Sequence, residues 1–270
     1  MNLKLIGIAT ALTLCLAPSA ASAHKTWLHP SATVFSDTGA WMTVDAAVSN
    51  DLFYFNHVPL RLDGLQVTAP DGSRVAPQNS ATGKYRSVFD LELTQQGTYK
   101  LAVVNHGMFA QYQLDGENKR WRGTPAEFKT GIPAAATDVE VSESLGSVET
   151  FATVGSPTTS VFKPSGKGIE MVPVTHPNDL YAGETATFQL LLDGKPAAGL
   201  EVEIIPGASR YRDQPEEIKV VTGADGNFQV KWPHAGMYWL ETTSTDALTS
   251  LPEASKRRLS YVATLEVLPQ

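Results

Sequence analysis

Short runs of alternating apolar and polar residues, cut by glycine, proline or Asp-Gly, constrain the fold of this chain more than any other feature. Ser87-Val88-Phe89-Asp90-Leu91-Glu92-Leu93 sends Phe89, Leu91 and Leu93 to one side and Asp90 and Glu92 to the other. That period of two is the mark of a half-buried strand. Trp41 to Val48 and Gly97 to Leu101 read as strands, and Leu65-Gln66-Val67 runs into a Pro70-Asp71-Gly72 turn. The same grammar recurs downstream. Thr187 to Leu192 meets Asp193-Gly194, Leu200, Val202 and Ile204 alternate with glutamates, Asp225-Gly226 precedes Phe228, Val230 and Trp232, and Tyr261 to Val267 ends the pattern. A chain built this way cannot make parallel-sheet α/β units. It predicts an all-β fold of two immunoglobulin- or transthyretin-like β-sandwiches.

One helix is predicted. Thr124-Pro125-Ala126-Glu127 is a capping-box pattern with proline at the first helical position, opening a short helix through Phe128-Lys129. A repeat is also visible, since Gly97-Thr98-Tyr99-Lys100-Leu101 echoes Gly236-Met237-Tyr238-Trp239-Leu240. Linker-like composition appears between Gly155 and Gly168, with glycine, proline, serine and threonine close together. The expected organisation is a leader over 1–23, a first sandwich over 24–165 that carries the candidate site, and a second sandwich over 166–270.

The leader is read from one positive charge at Lys4, an apolar run from Leu5 to Leu16, and Ala21-Ser22-Ala23 before a cut. It is too short and wrongly flanked for a membrane span. The expected location is therefore periplasmic, with no membrane span after cleavage. The single cysteine, Cys15, falls inside the leader. The mature chain thus has neither disulfide nor thiolate, and any metal site must use imidazole, carboxylate, thioether or amine. The formal charge is −7, with acidic and basic residues interspersed. No basic face recommends a nucleic-acid partner.

Enzymatic motifs are absent: no helical zinc-protease pair, no Gly-x-Ser-x-Gly elbow and no phosphate loop. The chain is not expected to be an enzyme. Six histidines remain. Cleavage after Ala23 leaves His24 with a free α-amine beside its imidazole, two nitrogens able to chelate one ion. The amine has an ordinary pKa near ~7.7–8.0, so a metal displaces a loosely held proton. His57, after the aromatic run Phe53-Tyr54-Phe55, and His106, at the end of the strand from Tyr99, are the candidate further ligands. His29 and Met108 are possible additions, since period-two geometry puts Met108 on the face of His106. Imidazole with amine suits nickel or copper(II), and thioether suits copper. In the opposing reading, these histidines bond nearby backbone and Met108 fills core. His176 and His234 are read as turn residues. The loop Arg210 to Glu217 is polar enough to dock on the first half or remain solvated. Asn118 to Gly123 is a basic-aromatic patch around Trp121, either a sugar or anion platform or a hairpin tip.

Ala23-His24-Lys25-Thr26-Trp27-Leu28, followed by a sandwich and then Thr175-His176-Pro177-Asn178-Asp179-Leu180-Tyr181-Ala182-Gly183, resembles a bacterial periplasmic family of unknown function often labelled nickel-uptake-like. Its members begin with histidine followed by an aromatic-leucine pair, here Trp27-Leu28. The resemblance covers nearly the whole mature chain. It implies metal handling and supplies no catalytic residues. The expected role is capture or delivery of nickel or copper beside an envelope transporter. The rival readings are a metal-free carbohydrate- or protein-interaction module and a copper monooxygenase using His24.

Overall fold

The computed structural model describes residues 24–270. The predicted leader and its cleavage site lie outside the described residues. Three sheets account for the strands. The largest has ten strands and runs through both halves of the chain. Along its main path lie Ile218–Val221, Glu201–Pro206, Gly236–Asp246, Ala254–Val267, Thr137–Val154, Gly97–Leu114, Leu65–Thr68 and Arg74–Val75. A five-stranded sheet contains Lys25–Pro30, Ala40–Ser49, Ser87–Leu93 and Gln78–Thr82, with Val58–Pro59 also on Ala40–Ser49. A four-stranded sheet is built around Thr185–Leu192.

The two smaller sheets cover opposite faces of the large one. Because successive side chains of a strand point to opposite sides, Val148, Ala152 and Val154 join one core while Phe151 joins the other. The first core gathers Trp27, Leu28, Met42, Val44, Phe89, Leu91 and Tyr99; Ile205, Trp239 and Val262 reach into it from the second half. The second is built on Phe188, Leu190, Phe228, Trp232, Tyr238 and Tyr261. The fold is an all-β sandwich arrangement in which both sandwiches share one sheet. The join is a parallel pairing from Val141↔Ala254 to Thr150↔Thr264, with an irregularity between Val141 and Ser142. Alternation reveals which side of a strand is wet, but not which distant strand will lie beside it.

The repeated pentapeptide has a structural meaning. Gly97 and Gly236 each open a long strand of the central sheet, at φ 114° and 140°. Tyr99 Oη accepts from the Gln95 amide at 2.7 Å, and Tyr238 Oη donates to the His234 carbonyl at 2.8 Å. Each tyrosine thus ties its hydroxyl to backbone four residues upstream, the tyrosine-corner device of immunoglobulin-type sandwiches. His234 acts through its backbone here, as a turn residue would.

The strand beginning at Gly97 continues to Leu114, well past its expected end at His106. Asn105-His106-Gly107 is a poor strand sequence by itself, but Thr137–Val154 pairs along one edge and Glu117–Gly123 along part of the other. The linker-like segment is likewise packed. Val161 and Phe162 are buried in the second core, and Ser160 donates to the Pro70 carbonyl.

The helix forms at Pro125–Gly131 with both arms of the capping box, Thr124 and Glu127 each bonding the other's backbone amide. Phe128 and Trp121 pack edge to face at 5.6 Å. The basic-aromatic patch is therefore a hairpin strand whose tryptophan lies against the helix. A Cβ added at Gly131 would sit 2.4 Å from the Trp121 ring. Gly131→Ala is expected to destabilise by about 1–3 kcal/mol through overpacking, despite alanine's better helix propensity. Urea unfolding measures it; an unchanged or higher midpoint would refute that contact.

Candidate functional site

His24 precedes Lys25–Pro30 and His57 precedes Val58–Pro59, and both strands pair with the end of Ala40–Ser49. Ala47 pairs with Trp27 on one edge and with Pro59 on the other. The two histidines therefore flank the last residues of a single strand. Their rings meet there, stacked with centroids 3.8 Å apart and planes 19° from parallel. Both are exposed.

The support beneath them is built from local sequence. Trp27 Nε1 donates to Ser49 Oγ at 2.9 Å, and Ser49 Oγ donates to the Asp51 carbonyl at 2.9 Å. Asn56 closes the loop, donating to Asp51 Oδ2 at 2.7 Å while accepting from the Asn50 amide at 3.0 Å. Phe53 and Phe55 each lie 5.5 Å from the Trp27 ring. Phe53 holds φ 57°, a left-handed conformation costly for an aromatic residue. Its packing on Trp27, on His29 at 4.6 Å and beside Gly207 holds it there. On the other side, Trp239 Nε1 donates to the Thr26 carbonyl at 2.9 Å, and Lys25 Nζ lies over the Trp239 ring at 5.6 Å. Arg210 stacks on Tyr54 at 3.9 Å. The polar loop thus docks on the aromatic run.

The remaining candidates go elsewhere. His29 packs against Trp27 and Phe53, with Asp45 opposite it in register. Burial pushes its pKa down, against the pull of Asp45 and Glu266, so a neutral ring is favoured. His106 lies in the large sheet, with Nε2 2.5 Å from Glu143 Oε1. Glu143 is 1% exposed and also accepts from the Ser250 amide and hydroxyl. Burial works against its charge, but the donations from Ser250 and His106 prevail and hold the carboxyl below its usual range. Met108 is buried among Ala110, Phe128, Val141 and Ala254. The structure therefore joins His24 to His57 and does not bring His106, His29 or Met108 to them. Among the described residues, no group of three or more His, Cys, Asp or Glu side chains is gathered to hold a metal ion.

His176 does more than make a turn. Its Nδ1 accepts from the Asn178 amide at 3.1 Å, while Nε2 lies 3.0 Å from Thr98 Oγ1 and 3.2 Å from the Thr158 carbonyl. Asn178 in turn accepts from Thr153 and donates to the Phe151 carbonyl. Nothing in the local sequence signalled this network, because its partners come from three separate segments.

The family profile of a domain of unknown function, DUF4198, matches residues 21–246. The chain belongs to this family. The matched span of the DUF4198 chain includes His24, His57 and the whole aromatic support between them. No curated protein matches the chain. Among solved structures, similarity is found to the human OSCAR ligand-binding domain at 12% identity, covering 91% of this chain and 100% of that one, TM-score 0.20. The D0-D1 domain of intimin matches at 10% identity over 89% and 97%, TM-score 0.21. Escherichia coli alpha-2-macroglobulin activated by porcine elastase matches at 11% over 88% and 30%, TM-score 0.21. Superpositions this loose carry no weight for topology or function.

Proposed function

We propose that the mature chain, cut after Ala23, is a periplasmic accessory protein that binds nickel or copper at His24 and His57 for an envelope transporter. The observation that carries this reading is the 3.8 Å stack of the two imidazoles. Imidazole nitrogens direct their lone pairs in the ring plane, so two stacked rings hold no ion between their faces. Both are exposed at strand ends, and a modest rotation of each turns two nitrogen edges toward one point. The freed α-amine of His24 adds a third nitrogen. Three nitrogens without thiolate suit copper(II) or nickel(II). The Trp27–Ser49–Asp51–Asn56 bonds fix the backbone on either side, so only side-chain torsions need change. His106, committed to Glu143, is left out of this ligand set.

Calorimetric titration with copper(II) and nickel(II), using protein that begins at His24, tests the reading. One ion per chain is expected. Adding a single residue before His24, or substituting His57→Ala, should weaken binding by about tenfold or more, since each removes one nitrogen (1.4 kcal/mol per decade). Equal affinity in all three proteins would overturn it.

A further inference from the structure

On the other side of the first core lies a groove of about 560 Å³, a size typical of small-molecule sites. Its floor is the face of the large sheet that, further along, carries the second core. Leu101, Val103 and Val148 point into the core, so Lys100, Ala102, Val104 and Glu149 point into the groove. The opposite wall is the packed segment from Ser160 to Glu170.

The charge lining this groove is opposite in sign to that of the chain. Arg74, Lys100, Lys163 and Lys167 face it with only Glu149 and Glu170 as carboxylates, four positive groups against two negative, or +2 beside His106. The whole chain carries −7. Both carboxylates are already engaged. Glu149 is buried, with Lys100 Nζ at 2.7 Å and the Tyr261 hydroxyl at 2.9 Å. Glu170 accepts the Ser165 and Gly166 amides at 2.7 and 2.8 Å. Its bonds fold the loop that carries Lys163 and Lys167 along the groove. Among the described residues, Arg74, Lys163 and Lys167 have no carboxylate within ion-pair distance. His106 is fixed by Glu143 through Nε2, which leaves Nδ1 as its free ring nitrogen. Arg74 Nη1 and Nη2 donate only to the neutral Thr68 hydroxyl and Gln66 amide oxygen, each at 2.7 Å. All three cations around the concavity therefore lack a neutralising partner and repel one another, and an anion with several acidic oxygens relieves that repulsion.

We propose that this groove binds a small organic polyanion, a di- or tricarboxylate or a phosphate ester. Arg74, Lys163 and Lys167 receive the acidic oxygens, while the Lys100–Glu149 pair and His106 Nδ1 receive hydroxyl groups. The site is separate from the His24–His57 pair and stands without it.

Citrate and glycerol 3-phosphate, titrated separately by calorimetry in metal-stripped buffer, test the proposal. At least one should bind saturably, and the preferred probe identifies the acidic group. The Lys163→Glu/Lys167→Glu protein changes only exposed residues, and its thermal unfolding should match the parent's. It should lose about tenfold or more in affinity, as befits reversal of two charge-assisted contacts. The His24→Ala/His57→Ala protein should bind the anion as the parent does. Absence of saturable binding with both probes overturns the proposal. So does unchanged affinity in the charge-reversed protein, or loss of anion binding in the histidine double variant.

Discussion

Replacing Arg257 by alanine is expected to destabilise the protein by about 2–4 kcal/mol, measured by urea unfolding at neutral pH. Arg257 reaches two carboxylates that are far apart in sequence. Its Nη2 lies 2.7 Å from Asp193 Oδ2 and 2.7 Å from Asp246 Oδ2, with Nε 3.0 Å from Asp246 Oδ1. The arginine side chain is 8% exposed, against 32% and 22% for the aspartates. Truncation leaves two neighbouring carboxylates without their common cation. Their partial access to water keeps the loss below that of a fully buried pair. Arg257→Lys should recover less than half, because one ammonium cannot reproduce a fork that bonds both partners. A loss under about 0.5 kcal/mol in the alanine protein, the level of ordinary surface changes, would show that the triad contributes nothing. Asp193 and Asp246 are held below the usual carboxylate range, first by their bonds from Arg257. That contribution is present above the ordinary aspartate pKa and is lost as pH falls through the depressed values.

His176 sets a second large effect, in a different pH window. Burial is the main cause of its depressed pKa, and its Nδ1 must stay unprotonated to accept the Asn178 amide. A histidine whose folded pKa lies below the unfolded 6.5 stabilises fully above pH 6.5. That stabilisation is lost as pH falls toward the folded value. While the folded ring stays neutral below pH 6.5, the slope approaches about 1.4 kcal/mol per pH unit. His29 acts in the same direction. Glu203 and Glu241, raised chiefly by burial, act in the opposite direction, so the raw pH profile mixes signs. Comparison with His176→Gln isolates one residue. Its penalty should be about 1–3 kcal/mol at pH 7.5, the cost of leaving buried partners unsatisfied. The penalty should shrink by pH 5, where the parent has lost its own advantage. A penalty constant from pH 7.5 to 5 would show that His176 does not titrate in this network.

The legible parts of this protein were those governed by neighbours in sequence. The alternation in Ser87–Leu93 is legible from the period of two alone, while the Thr124–Glu127 box and the repeated Gly-x-Tyr-x-Leu rest on bonds spanning a few residues, and the structure contains them where the residues stand. His24 and His57 were legible as candidates because a chain end and an aromatic run are local features. Their stacking was not, since it depends on two short strands pairing with opposite edges of a third. The place of His106 was not legible either, because a strand ending in histidine does not say which sheet it joins; here it lies in the large sheet against Glu143.

What the sequence by itself determined is the β character of the chain, the capped helix at Pro125–Gly131, the repeated pentapeptide and the apolar side of strands such as Ser87–Leu93. All follow from periodicity, steric preference and short-range hydrogen bonds. Only the tertiary structure decided that both sandwiches share one sheet, that His24 pairs with His57 while His106 goes to Glu143, and that unpaired cations line a groove. Those outcomes depend on contacts between residues tens to hundreds of positions apart. Their energies are set by the burial and charge of partners that no local pattern names.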